Sequence, residues 1–210
     1  HGANRLGASA LMQGLADGYF VVPYTMQNYL SDQITVARFS TDLPEFDEAE
    51  KAVQAEVDRI CNVKGDRSVD SIHKELGHIM WEYVGMGRTK EGLEEGLKKM
   101  KTLRKVFNEH VRIPGDKEGL NVELDKAIRL RDFLIMGELI AYDALNRNES
   151  CGGHFREESQ TPEGEAKRDD DNYMYVACWK YNGSDDAAPE LLKEDLNYQY
   201  IKVQTRNYKS

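Results

Sequence analysis

Three runs of helical periodicity between residues 69 and 146 limit what this chain can fold into. Val69, Ile72, Leu76, Ile79 or Met80, and Tyr83 recur three or four residues apart, which puts them on one side of a helix. Leu93, Leu97, Met100, Phe107 and Val111 repeat the pattern after Thr89, whose hydroxyl suits an N-cap. Gly85 and Gly87 separate these runs, and Pro114, Gly115 and Gly119 separate the second from a third, about Val122 to Asn146. The third run is apolar on several sides, through Ile128, Leu130, Leu134, Ile135, Leu139, Ile140 and Tyr142. A helix with so wide an apolar surface is central or covered by another layer. A helix of roughly Asp47 to Asn62 precedes them. Short connections favour antiparallel neighbours. The expected fold is therefore mainly α: an antiparallel three-helix up–down bundle, spectrin-repeat-like, with a short extended or β C-terminal tail. Trp81, Met80 and Met100 follow the stripe and read as core rather than as a cofactor box.

Around these helices the chain divides into residues 1–22, 23–45, 46–147 and 148–210. The first part is a glycine-containing loop followed by an apolar helix, with Ser9 as N-cap for Ala10 to Asp17. Gly14 and Gly18 permit close packing or end that helix. Pro23 and Pro44 mark the second part as a connector. In the last part, Tyr173 to Tyr181 and Tyr198 to Val203 read as short strands or extended segments, with a hairpin as one arrangement, and residues 157–172 as an exposed charged loop.

A formal net charge of −9 argues against a nucleic-acid partner, which needs a basic face. No stretch is apolar enough to span a bilayer. Cys61, Cys151 and Cys178 are far apart, odd in number and without CxxC spacing, so they read as reduced thiols rather than as a disulfide framework or a cluster site. His73 and His78, with Glu75 between them, are five residues apart and so fall on different sides of a helix, unlike a metal-binding i, i+4 pair. Lys98, Lys99, Lys101 and Lys105 read as a solvated helix face, with a docking surface as the alternative. The chain begins at His1, with no initiator Met and no signal-like run, as expected of a fragment.

The most informative string is His1-Gly2-Ala3-Asn4-Arg5-Leu6-Gly7. It places a cation, an amide and two glycines just ahead of a helix N-terminus, a setting that suits anions. Arg5 can clamp a carboxylate through two parallel hydrogen bonds. His1 beside it could serve as a general acid. On chemistry alone the signal is weak, and a surface salt bridge with a plain glycine turn is the better explanation of the string.

The string resembles a segment late in the flavin domain of succinate dehydrogenase and fumarate reductase flavoproteins. Two further strings extend the likeness. Ile72 to Arg88, IHKELGHIMWEYVGMGR, resembles the family's second-domain helix, and Glu149 to Glu158, ESCGGHFREE, resembles the family's ESRGAHFRED, with Cys151 and Gly153 as departures. NYMYVACWKY falls where the family carries a late aromatic segment.

This resemblance implies that residues 1–22 are the tail end of an FAD-binding domain, 23–45 a connector, 46–147 the helical bundle domain and 148–210 a polar loop with short strands. It implies that Arg5 binds a substrate carboxylate and that the backbone N–H groups of Ala10 and Leu11 touch FAD. The family's flavin-contacting Ser falls on Ala10, and Ser9 stands as its replacement. The resemblance implies that the acid/base residues lie upstream, so His1 has a positioning role at most, and this chain alone is expected to be inactive and to bind no FAD. The whole protein would interconvert succinate and fumarate. Its expected partners are an iron–sulfur subunit and membrane anchor subunits, with electrons passing on to a quinone. It would lie in the cytoplasm, peripheral on the inner face of the cell membrane through those partners. L-aspartate oxidase, adenylylsulfate reductase, or a purely docking role for the helical domain are the alternatives; the oxidase usually carries a different string where ESCGGHFREE stands. Leu11, Met12, Leu15, Phe20 and Val21 are then expected to lack their normal packing partner. His154 and Arg156 are expected either to hold the tail onto the bundle or to support the flavin site from behind.

Overall fold

The computed structural model describes residues 9–36, 38–117 and 119–204. The fold is mainly helical. Helices α1 (Ser9–Ala16), α2 (Val22–Leu30) and α3 (Pro44–Asn62) lead into α4 (Val69–Val84), α5 (Lys90–His110) and α6 (Val122–Asn146). A short α7 (Asp170–Tyr173) precedes a hairpin of β3 (Tyr175–Lys180) and β4 (Glu190–Asp195), and the two-residue strands β1 (Arg67–Ser68) and β2 (Val111–Arg112) flank α4 and α5.

α4, α5 and α6 each pack on the other two. Each begins at a side-chain cap that satisfies a free helical N–H. Ser68 Oγ accepts from the Ser71 N–H at 3.2 Å, Thr89 Oγ1 from Gly92 at 3.0 Å, and Asn121 Oδ1 from Leu124 at 3.1 Å. Their apolar stripes meet in one core of Ile72, Leu93, Met100, Phe107, Leu130 and Leu134, all buried. α3 reaches this core through Ile60 and is tied to α6 where Arg131 donates to Glu56 at 3.3 Å. Glycines let the helices approach closely. A Cβ built at Gly96 on α5 would lie 2.8 Å from Tyr83 Cβ on α4. β1 and β2 pair in parallel, Arg67 opposite Val111, so the start of α4 sits beside the end of α5.

Four local readings are corrected. Trp81 is 84% exposed rather than core, because it lies one residue past the stripe position Met80 and is therefore turned about 100° away from it. Ser9 is already helical, so it does not cap α1. Pro23 stands in the first turn of α2, so the segment 23–45 begins as helix. A π-turn at Asp17–Val21, in which the Val22 N–H reaches back to Asp17 O, joins α1 to α2 and widens the turn ahead of the proline ring. Gly14 and Gly18 neither end the helix nor lie within 4 Å of anything a Cβ would meet. Finally, Tyr198 to Val203 forms no strand. β4 is the more polar Glu190–Asp195, selected by cross-strand partners: Lys180 pairs with Glu190 at 3.3 Å and Lys193 sits 4.2 Å over the Tyr175 ring.

The hairpin covers one flank of α6. Trp179 meets Tyr142 edge-on at 4.9 Å and donates its indole N–H to Asp143 at 2.7 Å. The flank carrying Phe133, Met136 and Ile140 stays open, so α6 is covered on fewer sides than its composition suggests. Among the described residues, 10–36 are almost wholly exposed, Leu11 at 66% and Phe20 at 69% among them.

The glycines make a paired test. Gly77, in mid-α4, has open space where a Cβ would go. Gly77→Ala should stabilise the chain by about 0.5–1 kcal/mol through helix propensity. Gly96→Val should destabilise it by about 1–3 kcal/mol through overpacking against Tyr83. Urea denaturation midpoints of the two variants should move in opposite directions.

Candidate functional site

The densest polar cluster lies where α6 ends and the Glu149–Glu158 string begins. α6 carries no basic residue in its last turn, so its final carbonyls need a donor from elsewhere. Arg156 supplies it. Its guanidinium, 3% exposed, donates to Ala144 O at 3.1 Å and Leu145 O at 3.4 Å, and its Nε to Glu158 at 3.1 Å. The fully buried Ser150 hydroxyl accepts from the Arg156 N–H at 2.8 Å and donates to Arg156 O at 3.1 Å, fixing the backbone that carries this side chain.

The same loop reaches the other two helices. The Arg88 N–H donates to Phe155 O at 3.1 Å, and the Glu157 N–H to Arg88 O at 2.9 Å. The Arg88 Nε donates to Val84 O and Gly85 O at the end of α4, at 3.2 and 3.1 Å. Glu158 accepts from the Lys90 N–H in the first turn of α5. The loop therefore closes the N-terminus of α5 and the C-terminus of α6 directly, and holds Arg88, which closes the C-terminus of α4. Arg147 attaches the tail: it pairs with the buried Glu149 at 2.7 Å and donates to Tyr173 O and Tyr175 O at 3.2 and 3.1 Å. Glu149 in turn accepts from the Asp169 N–H at 2.9 Å.

His154 sits inside this cluster with both ring nitrogens engaged. Nε2 is 2.7 Å from Arg147 O, an acceptor, so Nε2 carries the proton. Nδ1 then accepts from Arg88 Nη1 at 2.7 Å. Burial lowers its pKa, and the cations of Arg88, Arg156 and Arg147 lower it further against the opposing bond to Arg147 O. The Cys151 thiol is pushed up by burial and by Glu149. His154 and Arg156 thus hold the tail onto the helices, the first of the two roles expected of them. Arg88, Arg147, Glu149 and Glu158 complete the cluster and escaped sequence reasoning; the arginine directly after Gly85-Met86-Gly87, at a helix end, was the available signal.

The other candidates separate. Arg5 and His1 lie outside the described residues, as does the side chain of Ser9. Ala10 and Leu11 occupy the first described turn of α1. His73 stacks on Phe133 at 5.6 Å, and Glu75 pairs with Arg67 at 2.8 Å. Among the described residues no three His, Cys, Asp or Glu side chains gather as a metal set. Lys98 and Lys99 lean on Glu95 at 3.8 and 3.6 Å, and Lys101 and Lys105 are exposed.

Residues 73–208 match the family described as fumarate reductase flavoprotein C-term. The fumarate reductase flavoprotein subunit of Proteus vulgaris is 30% identical over 93% of this chain and 31% of its own length. The L-aspartate oxidase of Yersinia pestis is 27% identical over 74% of this chain and 25% of its own length. An E. coli quinol fumarate reductase structure superposes with a TM-score of 0.68 at 24% identity, over 81% of this chain and 28% of that one, a likeness of fold. The chain thus spans about a third or less of the relatives it matches.

The loop cluster makes two predictions. Arg156→Ala strands two helical carbonyls and Glu158 and should cost about 3 kcal/mol in urea denaturation; Arg156→Lys should restore little, since an ammonium cannot reach all three acceptors. Because His154 is held neutral, the unfolded chain takes up a proton that the folded chain refuses. Stability should therefore be full above about pH 6.5 and fall as pH drops below it, by at most about 1.4 kcal/mol per pH unit. His154→Gln should flatten that slope between about pH 6.5 and 5, above the range where carboxylates titrate. An unchanged slope would assign it to other groups.

Proposed function

Since this chain belongs to the fumarate reductase flavoprotein C-terminal family, we propose that it is the C-terminal part of a flavoprotein that interconverts succinate and fumarate. The match over residues 73–208 carries this reading, and the His1–Gly7 string ahead of it supports it. In this reading residues 1–22 end an FAD-binding domain, 23–45 connect, 46–147 form the helical domain and 148–210 its polar tail.

The chain's own contribution to the chemistry lies at its start. Arg5 grips one substrate carboxylate in the plane of its guanidinium and so orients the bond that breaks. The backbone N–H groups of Ala10 and Leu11 hold the pyrimidine edge of FAD, and the Ser9 hydroxyl stands in for the one that Ala10 lacks. The structure fits such a neighbour: Ala10 adds only a methyl group at the start of α1, and Leu11, Met12 and Leu15 leave that helix uncovered. When bound, FAD supplies hydride exchange with the middle carbons of the substrate. The acid and base that move the proton stand upstream of His1.

Electrons would leave for an iron–sulfur subunit and then for membrane anchor subunits and a quinone. No helix among the described residues is long and apolar enough to cross a membrane. In this reading the protein sits at the inner face of the cell membrane through those partners, on the cytoplasmic side. The Yersinia pestis relative favours L-aspartate oxidation as the second reading.

The test uses the full-length protein, assayed with succinate, fumarate and L-aspartate. Succinate–fumarate turnover is expected; turnover of L-aspartate alone would select the second reading. Arg5→Lys should lower kcat/KM about 100-fold, because an ammonium holds the carboxylate as a point charge and lets the reacting bond drift. FAD content and folding should stay nearly unchanged. Wild-type kcat/KM at full FAD loading would remove Arg5 from the substrate site.

A further inference from the structure

Arg67, Arg104, Arg131, Arg147, Arg156 and Arg168 are buried or half-buried, and each sits in an ion pair with a carboxylate. Arg88 is the exception among the described arginines that are not exposed. Its bonds go to the carbonyls of Val84 and Gly85 and to the neutral ring of His154. The carboxylate it feels most is Asp143, which lies beyond ion-pair distance and accepts the indole N–H of Trp179 at 2.7 Å. A guanidinium drawn partly out of water without a counter-ion is unfavourable, and an anion that reaches it recovers that loss.

Arg88 lines an open cleft of about 500 Å³. Met136, Leu139 and Ile140 of α6 form one wall, and Trp179 of β3 faces them. Arg147 lies at the same cleft but is already matched by Glu149. Asp143 and His154 line the cleft as well, Asp143 engaged by the Trp179 indole N–H, so Arg88 is the cation there without an ion pair, beside an apolar wall. That combination fits neither a bare inorganic anion, which gains nothing from the walls, nor a neutral hydrocarbon, which leaves the cation unpaired.

We propose that the Arg88 cleft is a binding site for a small amphiphilic carboxylate, its carboxylate on Arg88 and its short apolar chain along Met136, Leu139, Ile140 and Trp179. This site is separate from the one assigned to Arg5 and does not depend on the reading of the whole protein.

The cleft carries its own reporter. The chain has two tryptophans, and Trp81→Phe leaves Trp179 as the sole tryptophan, read by selective excitation at the red edge of indole absorption. In that background the 210-residue chain is titrated with sodium octanoate at pH 7.5 and constant ionic strength. A saturable change in Trp179 emission is expected, with Kd of about 1 mM or tighter. Octanol and inorganic phosphate should each bind at least about tenfold more weakly, since each supplies half of the recognition. Arg88 also closes α4, so the decisive variant is on the opposite wall. Met136→Glu, at an exposed position, puts a carboxylate into the cleft and should weaken octanoate binding at least about tenfold, while Met136→Gln should leave it near wild type. The proposal falls if octanoate gives no saturation in a chain whose circular dichroism is helical. It falls equally if octanol or phosphate matches octanoate, or if Met136→Glu binds as tightly as Met136→Gln.

Discussion

The bond of Arg156 to the last carbonyls of α6 is the constraint on which the rest of the structure depends. α6 is the 25-residue helix against which α4 and α5 both pack, and it ends without a cation of its own. A donor brought from beyond the helix must bring its backbone along. The strand of chain that carries Arg156 therefore lies across Arg88 and places Glu158 at the start of α5. A buried arginine is tolerable because its Nε and Nη1 meet acceptors on Glu158, Ala144 and Leu145 and its own backbone is locked by Ser150. Removing one partner leaves the others strained or bare, so these groups act as one unit rather than as separate bonds.

The opposite end of α4 and α5 is held by different means. The β1–β2 ladder pins residues just before α4 to residues just after α5, so this helix pair is closed at both ends, by backbone bonds at one and by charge at the other. α3 adds Ile60 and an ion pair but leaves much of its own surface in solvent. The segment of α1 and α2 obeys another balance. It is as apolar as the core helices, yet its large side chains meet solvent. Composition gives both regions the same appearance; only packing separates them.

The parts legible in the sequence are those whose causes are local. The stripes through Ile72, Leu93 and Leu130, the cap at Thr89 and the bounds Val122–Asn146 follow from period and cap chemistry within a few residues. Trp81 was misread because a single step along the helix decides whether a ring faces the core. Pro23 does not announce the helix it opens, because a wider turn ahead of it relieves its clash. β4 has little apolar alternation to announce it. His154 and Arg156 drew attention through their glycine-rich surroundings, but their partners could not be named: Arg88 is 66 residues from His154, and Lys90 is 68 from Glu158. Arg5, Ser9, Ala10 and Leu11 rest on likeness to a family rather than on geometry.

The distance along the chain between the helices and their clamp has a consequence for synthesis. A ribosome delivers α4, α5 and α6 in order, and neighbouring helices can collapse on one another as they emerge. The carbonyls at the end of α6 then remain exposed until Arg156 follows, and the tail is not fastened until Tyr173 and Tyr175 reach Arg147. The nascent helices thus form a provisional assembly, complete in its apolar contacts and open at one end. A chain that stalls or is cut before its last stretch would keep its helices and lose their fastening, a state that cellular proteases are well placed to recognise.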